Sequence, residues 1–260
     1  MSSKQPHYHV IYRACDVVKA VNGGERPFGL NKTELVKVCF KSLFNAIKEE
    51  SFQITVLGDK LSNELRTFFN PYPLKLIEGD FGNESSLRAC FELSFQIQDD
   101  HWVYFCEDDY LHKPECFVYI SDLIVNKNQI IHFKPKNTIE RFLFRRFSSA
   151  DLFIHPPDYP DRYYVKYTRP SLIFKSSFCH WRQINYTTFT FMTQAKSLKK
   201  VMKTLLKYSY RTRDWKMSEK LYADFFFMGK KALCISPIPG LSTHMHEHTM
   251  TPFVKWETLL

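Results

Sequence analysis

The most restrictive feature of the sequence is a short apolar run that ends in three consecutive acidic residues. Residues 102–105 read WVYF, and Glu107, Asp108 and Asp109 follow after one cysteine. A continuous apolar run of this length is typical of a strand buried on both faces, as in a parallel sheet covered by helices. In such sheets ligands bind beyond the carboxyl ends of the strands. The acidic triplet is therefore predicted to lie at a ligand-binding edge.

The segments before this run alternate between strand-like and helix-like patterns. His7–Ala14, 52–57 and 74–77 are rich in β-branched and aromatic side chains, which favours strands. Between them apolar residues recur at spacings of three and four, and Asn31 or Thr33 could cap the first helix. The alternation predicts an α/β fold with a Rossmann-like, mostly parallel central sheet and helices on both faces. The rest of the chain is less regular.

Composition excludes several classes of protein. The chain has 260 residues, of which 44% are hydrophobic, and this excludes wholesale disorder. No run approaches the roughly 18 to 20 apolar residues of a transmembrane helix, and the first residues lack a secretory signal pattern. Seven scattered cysteines without a C-x-x-C pair are typical of reduced thiols. We expect a soluble, cytoplasmic protein with no transmembrane segment, and the net charge of +9 leaves contact with an acidic membrane surface open.

The acidic triplet is a candidate metal site. Three adjacent carboxylates repel one another unless a cation is held, and Mg²⁺ or Mn²⁺ would also bridge to the phosphates of a ligand. A solvated acidic turn before a helix is the alternative. A histidine from segment 242–248 (STHMHEH) could complete the site, and we choose His244 because it follows the rigid turn at 237–240 (PIPG). A separate three-histidine zinc site in this segment, or a surface loop with chance histidines, remains open.

Two other groups of residues are candidates for deprotonating an alcohol or for binding a sugar. Asp214 and Glu219 could act as a general base, although capping of the helix that follows is the slightly favoured explanation. His180, Trp181 and Arg182 place an aromatic ring beside a cation and a proton carrier, which suits stacking on a sugar or a base. The alternative is that Trp181 belongs to the core.

The basic runs at 196–207 and 141–146 could contact nucleic acid. They lack the glycine and aromatic spacing of an RNA-recognition sheet, and no helix-turn-helix or zinc-finger pattern is present. We therefore expect no stable nucleic-acid partner. A basic, non-enzymatic nucleic-acid-binding module remains an alternative because of the net charge of +9.

The order of these elements resembles the GT-A class of nucleotide-sugar glycosyltransferases. Residues 106–110 (CEDDY) after the WVYF run resemble the acidic D-x-D metal motif of that class. The resemblance implies that Mn²⁺ or Mg²⁺ binds to Asp109, with Glu107 and His244 as further ligands. It also implies that Glu219 or Asp214 is the base, and that 1–125 form a donor-binding half and 126–260 an acceptor-binding half of one domain.

The resemblance further implies contacts to the donor and the acceptor. Segment 86–88 (SLR) is similar to the part of family 2 enzymes that carries a donor-binding arginine. The implied donor contacts are Tyr12, Arg13, Asp59, Arg88 and Asp108. The acceptor contacts are assigned to His180, Trp181 and Arg182.

The implied reaction is transfer of a sugar from a nucleoside-diphosphate sugar, such as a UDP- or GDP-sugar, to a glycan or other hydroxyl acceptor, with inversion. A nucleotidyltransferase or phosphotransferase that uses the same metal crevice is the enzymatic alternative.

Overall fold

The computed structural model describes residues 5–16, 26–132, 134–144, 150–164, 170–222 and 232–260. Its strands are β1 (His7–Ala14), β2 (Ser51–Asp59), β3 (Leu74–Gly79), β4 (Trp102–Glu107), β5 (Tyr110–His112), β6 (Asp151–Ile154), β7 (Ile173–Lys175), β8 (His180–Ile184), β9 (Phe191–Gln194), β10 (Ala232–Ile238) and β11 (Ser242–His244). Its α-helices are α1 (Lys32–Ile47), α2 (Asn63–Phe69), α3 (Gly82–Leu93), α4 (Cys116–Val125), α5 (Lys127–Ile130), α6 (Thr138–Phe144), α7 (Ala195–Ser209) and α8 (Asp214–Leu221).

Nine of the described strands form one sheet in the order β3-β2-β1-β4-β9-β6-β10-β8-β7. Strands β3, β2, β1 and β4 are parallel to one another. Strand β9 runs antiparallel between β4 and β6, and β8 and β7 are antiparallel additions beyond β10. The predicted α/β fold is confirmed. Its first four strands form the Rossmann-like parallel part, and the sheet as a whole is mixed because β8 and β9 run opposite to the other seven strands.

Local sequence explains the elements around β1. Of the two predicted caps for α1, Asn31 is the one used: its side chain accepts from the Glu34 N–H at 2.9 Å, and the Glu34 carboxylate accepts from the Asn31 N–H at 2.9 Å. This reciprocal capping satisfies two backbone donors at the helix start. Successive residues of β1 then face opposite sides of the sheet, so that Val10 packs in one core cluster and Ile11 in the other.

The carboxyl ends of β1 and β4 lie side by side, with Arg13 paired in register with Glu107. The chain then turns through Asp108 and Asp109 into β5, which pairs with β11. This pairing places His244 opposite Tyr110, next to the acidic turn. Within the described residues, no helix combines the length and the apolar character needed to span a bilayer.

Candidate active site

Asp109 contacts a histidine from the other end of the chain. Its Oδ2 lies 3.1 Å from Nε2 of His244, and its backbone carbonyl accepts from the Met245 N–H at 2.7 Å. Its Oδ1 is buried and has no hydrogen-bond partner among the described residues. Because buried polar atoms are normally paired, the unpaired state of this oxygen indicates a position for a ligand or an ion.

His244 is held on three sides. Its Nδ1 lies 2.9 Å from the hydroxyl of Thr249, and its ring stacks on Tyr110 with centroids 5.0 Å apart. Burial acts to lower the pKa of His244, but the charge and hydrogen bond of Asp109 outweigh it and raise this pKa above its usual value. Burial acts to raise the pKa of Asp109, but His244, with Lys32 and Arg13, holds this pKa below its usual range. The pair therefore favours a charged imidazolium and carboxylate.

Glu107 faces a cation on the neighbouring strand. The Arg13 guanidinium contacts the Glu107 carboxylate, and it also donates to Oδ1 of Asn83 at 2.7 Å. The hydroxyl of Thr190 lies 3.1 Å from the Glu107 backbone nitrogen. Burial outweighs Arg13 and raises the pKa of Glu107. The structure thus brings the predicted Arg13 to the acidic turn, where it is paired with Glu107.

Asp108 is the most enclosed of the three acids. Its Oδ1 lies 2.6 Å from Nζ of Lys32, and its Oδ2 accepts from the Cys15 N–H at 2.7 Å. Burial outweighs Lys32 and raises the pKa of Asp108. Because Lys32 is the first residue of α1, the start of this helix is tied directly to the acidic turn.

The structure corrects the argument that the acidic triplet lacks compensating charge. Three carboxylates face three cations, since Glu107 pairs with Arg13, Asp108 with Lys32, and Asp109 with His244. These pairs are seen in three separate contacts. A metal ion is therefore not required for balance before a ligand binds.

The structure also reduces the set of predicted metal ligands. Within the described ranges, one group of three histidine, cysteine or acidic residues has ligand atoms within 4.8 Å of one another, and it is formed by His7, His9 and His101. Glu107, Asp109 and His244 do not form such a group, because Glu107 turns towards Arg13. The alternative three-histidine site in 242–248 does not converge either, and of its histidines only His244 reaches an acidic residue of the turn.

Three predicted donor contacts take no part in the ion pairs of the acidic turn. Tyr12 is fully buried and packs against Phe40 in the core, so it offers no surface to a nucleotide. The Asp59 carboxylate accepts from two backbone N–H groups at the start of α3, at 2.7 and 3.0 Å. Arg88 is exposed and forms an ion pair with Glu92 at 2.8 Å. Of the five predicted donor residues, the structure brings Arg13 and Asp108 into the ion pairs at the acidic turn.

The predicted acceptor residues do not form one surface. Trp181 is fully buried in the core, whereas His180 is exposed. Arg182 lies 3.7 Å from the buried Asp158 and over the ring of Tyr163. The reason is the strand itself: β8 directs successive side chains to opposite faces, so the tryptophan cannot share a surface with its neighbours.

The two base candidates differ in their surroundings. Asp214 accepts from the hydroxyl of Tyr186 at 3.0 Å and from the Trp215 N–H at 2.7 Å. Burial, which exceeds the effect of these hydrogen bonds, raises the pKa of Asp214. Glu219 is exposed, one turn further along α8. Its neighbour Ser218 is buried, as are Met217 and Leu221 on the same helix.

The loop between β8 and β9, residues 185–190, connects Asp214 to the acidic turn. At one end of the loop, Tyr186 donates to Asp214. Further along, the hydroxyl of Thr188 lies 2.8 Å from that of Tyr110, which directly follows the acidic triplet. Asp214 and the acidic turn therefore contact the same short loop.

Sequence reasoning missed Lys32 and the partners of Tyr110. Lys32 follows the Asn31 cap, and the start of a helix after a parallel strand lies near the carboxyl edge, so its position was a usable signal. The hydroxyl of Tyr159 lies 2.6 Å from that of Tyr110, and no local pattern indicates this contact.

The basic run at 196–207 lies on α7, where Lys199 pairs with Asp99 and Lys200 with Asp151. These pairs agree with a solvated helix face. The second run, at 141–146, ends outside the described residues.

No protein-family model matches the sequence, and no curated protein matches it. Among solved structures, the chain is similar to a 4-diphosphocytidyl-2C-methyl-D-erythritol synthase from Anaerococcus prevotii, with 10% identity, a TM-score of 0.42, and coverage of 98% of this chain and 93% of that one. It is similar to the galactosyltransferase LgtC, with 10% identity, a TM-score of 0.41, and coverage of 81% and 69%. A nucleotidyl transferase from Methanothermobacter has 9% identity, a TM-score of 0.37, and coverage of 88% and 86%. The structural neighbours thus include GT-A glycosyltransferases and nucleotidyltransferases, and neither class is singled out.

Proposed function

We propose that the protein transfers a sugar from a nucleoside-diphosphate sugar to a hydroxyl group of an acceptor. The proposal is carried by the Asp109–His244 pair, which leaves one buried carboxylate oxygen at the end of β4 without a hydrogen-bond partner in the part of the chain that the structure describes. A carboxylate oxygen and an imidazole nitrogen are suitable ligands for Mn²⁺, and Mg²⁺ commonly binds to one or two carboxylates plus substrate phosphates. Asp109 and His244 would therefore hold a divalent ion that takes the place of the imidazolium proton and is completed by the donor.

Charge supports this reading of the site. Before a ligand binds, three acids and three cations balance one another. An incoming diphosphate adds negative charge that these pairs do not neutralise. A divalent ion held by Asp109 and His244 would supply that countercharge and stabilise the departing diphosphate.

Arg13 and Lys32 position the phosphates in this proposal. Both lie at the carboxyl edge of the parallel strands, one at the end of β1 and one at the start of α1. Each is held by a neighbouring carboxylate, so each is fixed before the donor arrives. Such preorganised cations stabilise charge that develops on a leaving group without reorganising at that moment.

Asp214 is the proposed general base. It removes the proton of the acceptor hydroxyl while the hydroxyl oxygen bonds to the anomeric carbon and the bond from that carbon to the diphosphate oxygen breaks. Its raised pKa brings it closer to the pKa range in which a carboxylate accepts a proton effectively. Glu219, which is exposed, is the second candidate.

Nucleotidyl transfer is the second candidate function, because Lys32 and Arg13 would hold the phosphates equally well in that reaction. The two reactions place different halves of the donor on the product. UDP- and GDP-sugars labelled separately in the sugar and in the base, offered with Mn²⁺ and a panel of glycans, therefore distinguish them by the mass of the product. Sugar in the product supports our proposal, and nucleotide in the product replaces it with the alternative.

The same assay tests the site. Asp109→Asn removes the carboxylate charge with little change in shape, and we expect turnover to fall at least about 100-fold, as for loss of one transition-state contact. The matched control is Asp99→Asn, an exposed acid paired with Lys199, which should leave the rate unchanged. An Asp109→Asn protein with the wild-type rate would remove the basis of the proposal.

A further inference from the structure

A cluster of three histidines lies at the amino end of β1, away from the acidic turn at its carboxyl end. His7 and His9 are alternate residues of this strand, so their side chains leave the same face of the sheet. On the neighbouring β4, Trp102 is in register with Tyr8, which places the preceding His101 beside His7. The sheet register thus brings three imidazoles together from two parts of the chain.

The three rings are close enough to share one ion. Their centroids are 4.4 to 5.1 Å apart, and one nitrogen from each ring lies within 4.8 Å of the other two. Nε2 of His9 and Nδ1 of His101 are 2.9 Å apart. Two nitrogens on a tetrahedral zinc ion, each bonded at about 2.0 to 2.1 Å, are about 3.3 Å apart. Binding therefore needs only small rotations of side chains.

The outer contacts match those of metal-binding histidines. The hydroxyl of Ser51 lies 2.6 Å from Nδ1 of His7, which fixes the orientation of that ring. The carboxylate of Asp100 lies 3.9 Å from Nε2 of His101. A hydrogen-bonded partner such as Ser51 orients an imidazole ligand and increases its basicity, whereas the Asp100 carboxylate, beyond hydrogen-bond distance, adds only its negative charge.

The cluster is also accessible. His7 and His101 line a cavity of about 530 Å³, whose wall includes Lys127, Lys196 and Lys200. An ion on three histidines would keep one coordination position for water or for an anion from this cavity. The wall also includes Asp100 and Asp151, the latter paired with Lys200, so the three lysines exceed the carboxylates by one charge, which suits such an anion.

We propose that His7, His9 and His101 form a binding site for a divalent transition metal ion, represented by Zn²⁺, with an open position towards the cavity. Three imidazole ligands favour Zn²⁺, Ni²⁺ or Cu²⁺ over Mg²⁺, which prefers oxygen. The site is independent of the proposed sugar transfer, because it lies at the other end of β1.

Titration of the full chain with Zn²⁺ tests this site, using protein without a histidine tag. All variants carry Asp109→Asn and His244→Gln, so that the acidic turn does not contribute. Calorimetry should show one Zn²⁺ per chain, and Co²⁺ should give the visible absorption of a tetrahedral complex. His9→Gln and His101→Gln should each weaken Zn²⁺ binding more than about 10-fold, while the exposed His180→Gln should not.

A smaller substitution controls for the possibility that the histidine variants unfold. Ser51→Ala keeps all three imidazoles and removes one orienting contact, so Zn²⁺ affinity should fall about 10-fold. Absence of stoichiometric Zn²⁺ binding in the background protein would overturn the proposal. So would equal affinities for the His9→Gln, His101→Gln, Ser51→Ala and His180→Gln proteins.

Discussion

Replacement of Lys32 by methionine should destabilise the protein far more than the same replacement at Lys37. Both lysines lie on α1 and both form an ion pair. The Lys32–Asp108 side chains are only 15% and 11% exposed, whereas Lys37 and its partner Glu64 are 27% and 64% exposed. The two substitutions therefore remove equal charge from the same helix and differ mainly in burial.

The magnitude follows from the geometry at Asp108. With the charges 2.6 Å apart and an effective dielectric constant of about 20, their attraction is about 6 kcal/mol before desolvation is counted. Removal of one partner of a buried pair costs about 3 to 5 kcal/mol, because the other charge stays buried. Asp108 keeps the Cys15 N–H bond, so we expect the lower end, about 3 kcal/mol. For the exposed Lys37 pair we expect about 0 to 1 kcal/mol.

The free energy of unfolding that Lys32→Met removes should also depend on pH. Burial raises the pKa of Asp108 even with Lys32 present, and loss of the lysine raises this pKa further. A carboxyl group with a higher pKa in the folded state binds its proton more tightly there than in the unfolded chain. Acid therefore stabilises the Lys32→Met protein relative to the wild type, and the difference should shrink as the pH falls through the folded-state pKa.

Urea unfolding followed by circular dichroism at pH 8 and at pH 5.5 measures both effects. Equal decreases in the free energy of unfolding for Lys32→Met and Lys37→Met would refute the role of burial. If the decrease for Lys32→Met stays constant or grows in acid, the unpaired charge is not that of Asp108.

Two further substitutions test other parts of the structure. Gly240→Ala should lower the free energy of unfolding by about 1 to 3 kcal/mol in the same urea assay. The reason is that a Cβ at this position would lie 2.7 Å from the backbone nitrogen of Asp158 and from a methyl group of Thr251. Unchanged stability would contradict this packing. Asp214→Asn should reduce the rate of sugar transfer about 10²- to 10⁴-fold, and Glu219→Gln only slightly. The opposite pattern of rates would assign the base to Glu219.

The elements that could be predicted are those specified by local pattern. The apolar run before the acidic triplet predicted β4, and the Asn31 cap with its periodic apolar residues predicted α1. These two features need no knowledge of distant parts of the chain, whereas the meeting of Arg13 and Glu107 depends on the pairing of β1 with β4.

The rest depends on register and direction between distant segments. The sequence groups Trp181 with His180 and Arg182, but the alternation of β8 directs the tryptophan into the core. His7 and His9 were interpreted only as part of a strand, because their partner His101 is found through the pairing of β1 with β4. Lys32 was overlooked since its partner, Asp108, lies 76 residues away.

The position of β9 has a consequence for biosynthesis. It covers the edge of β4, yet it begins at Phe191, whereas β4 ends at Glu107. At translation rates of roughly 5 to 20 residues per second, that edge stays open on the ribosome for roughly 4 to 17 s. An open apolar edge can pair with another nascent chain, and charged residues beside it oppose such pairing. We therefore expect the acidic triplet, which ends this strand, to oppose such pairing until β9 has been made.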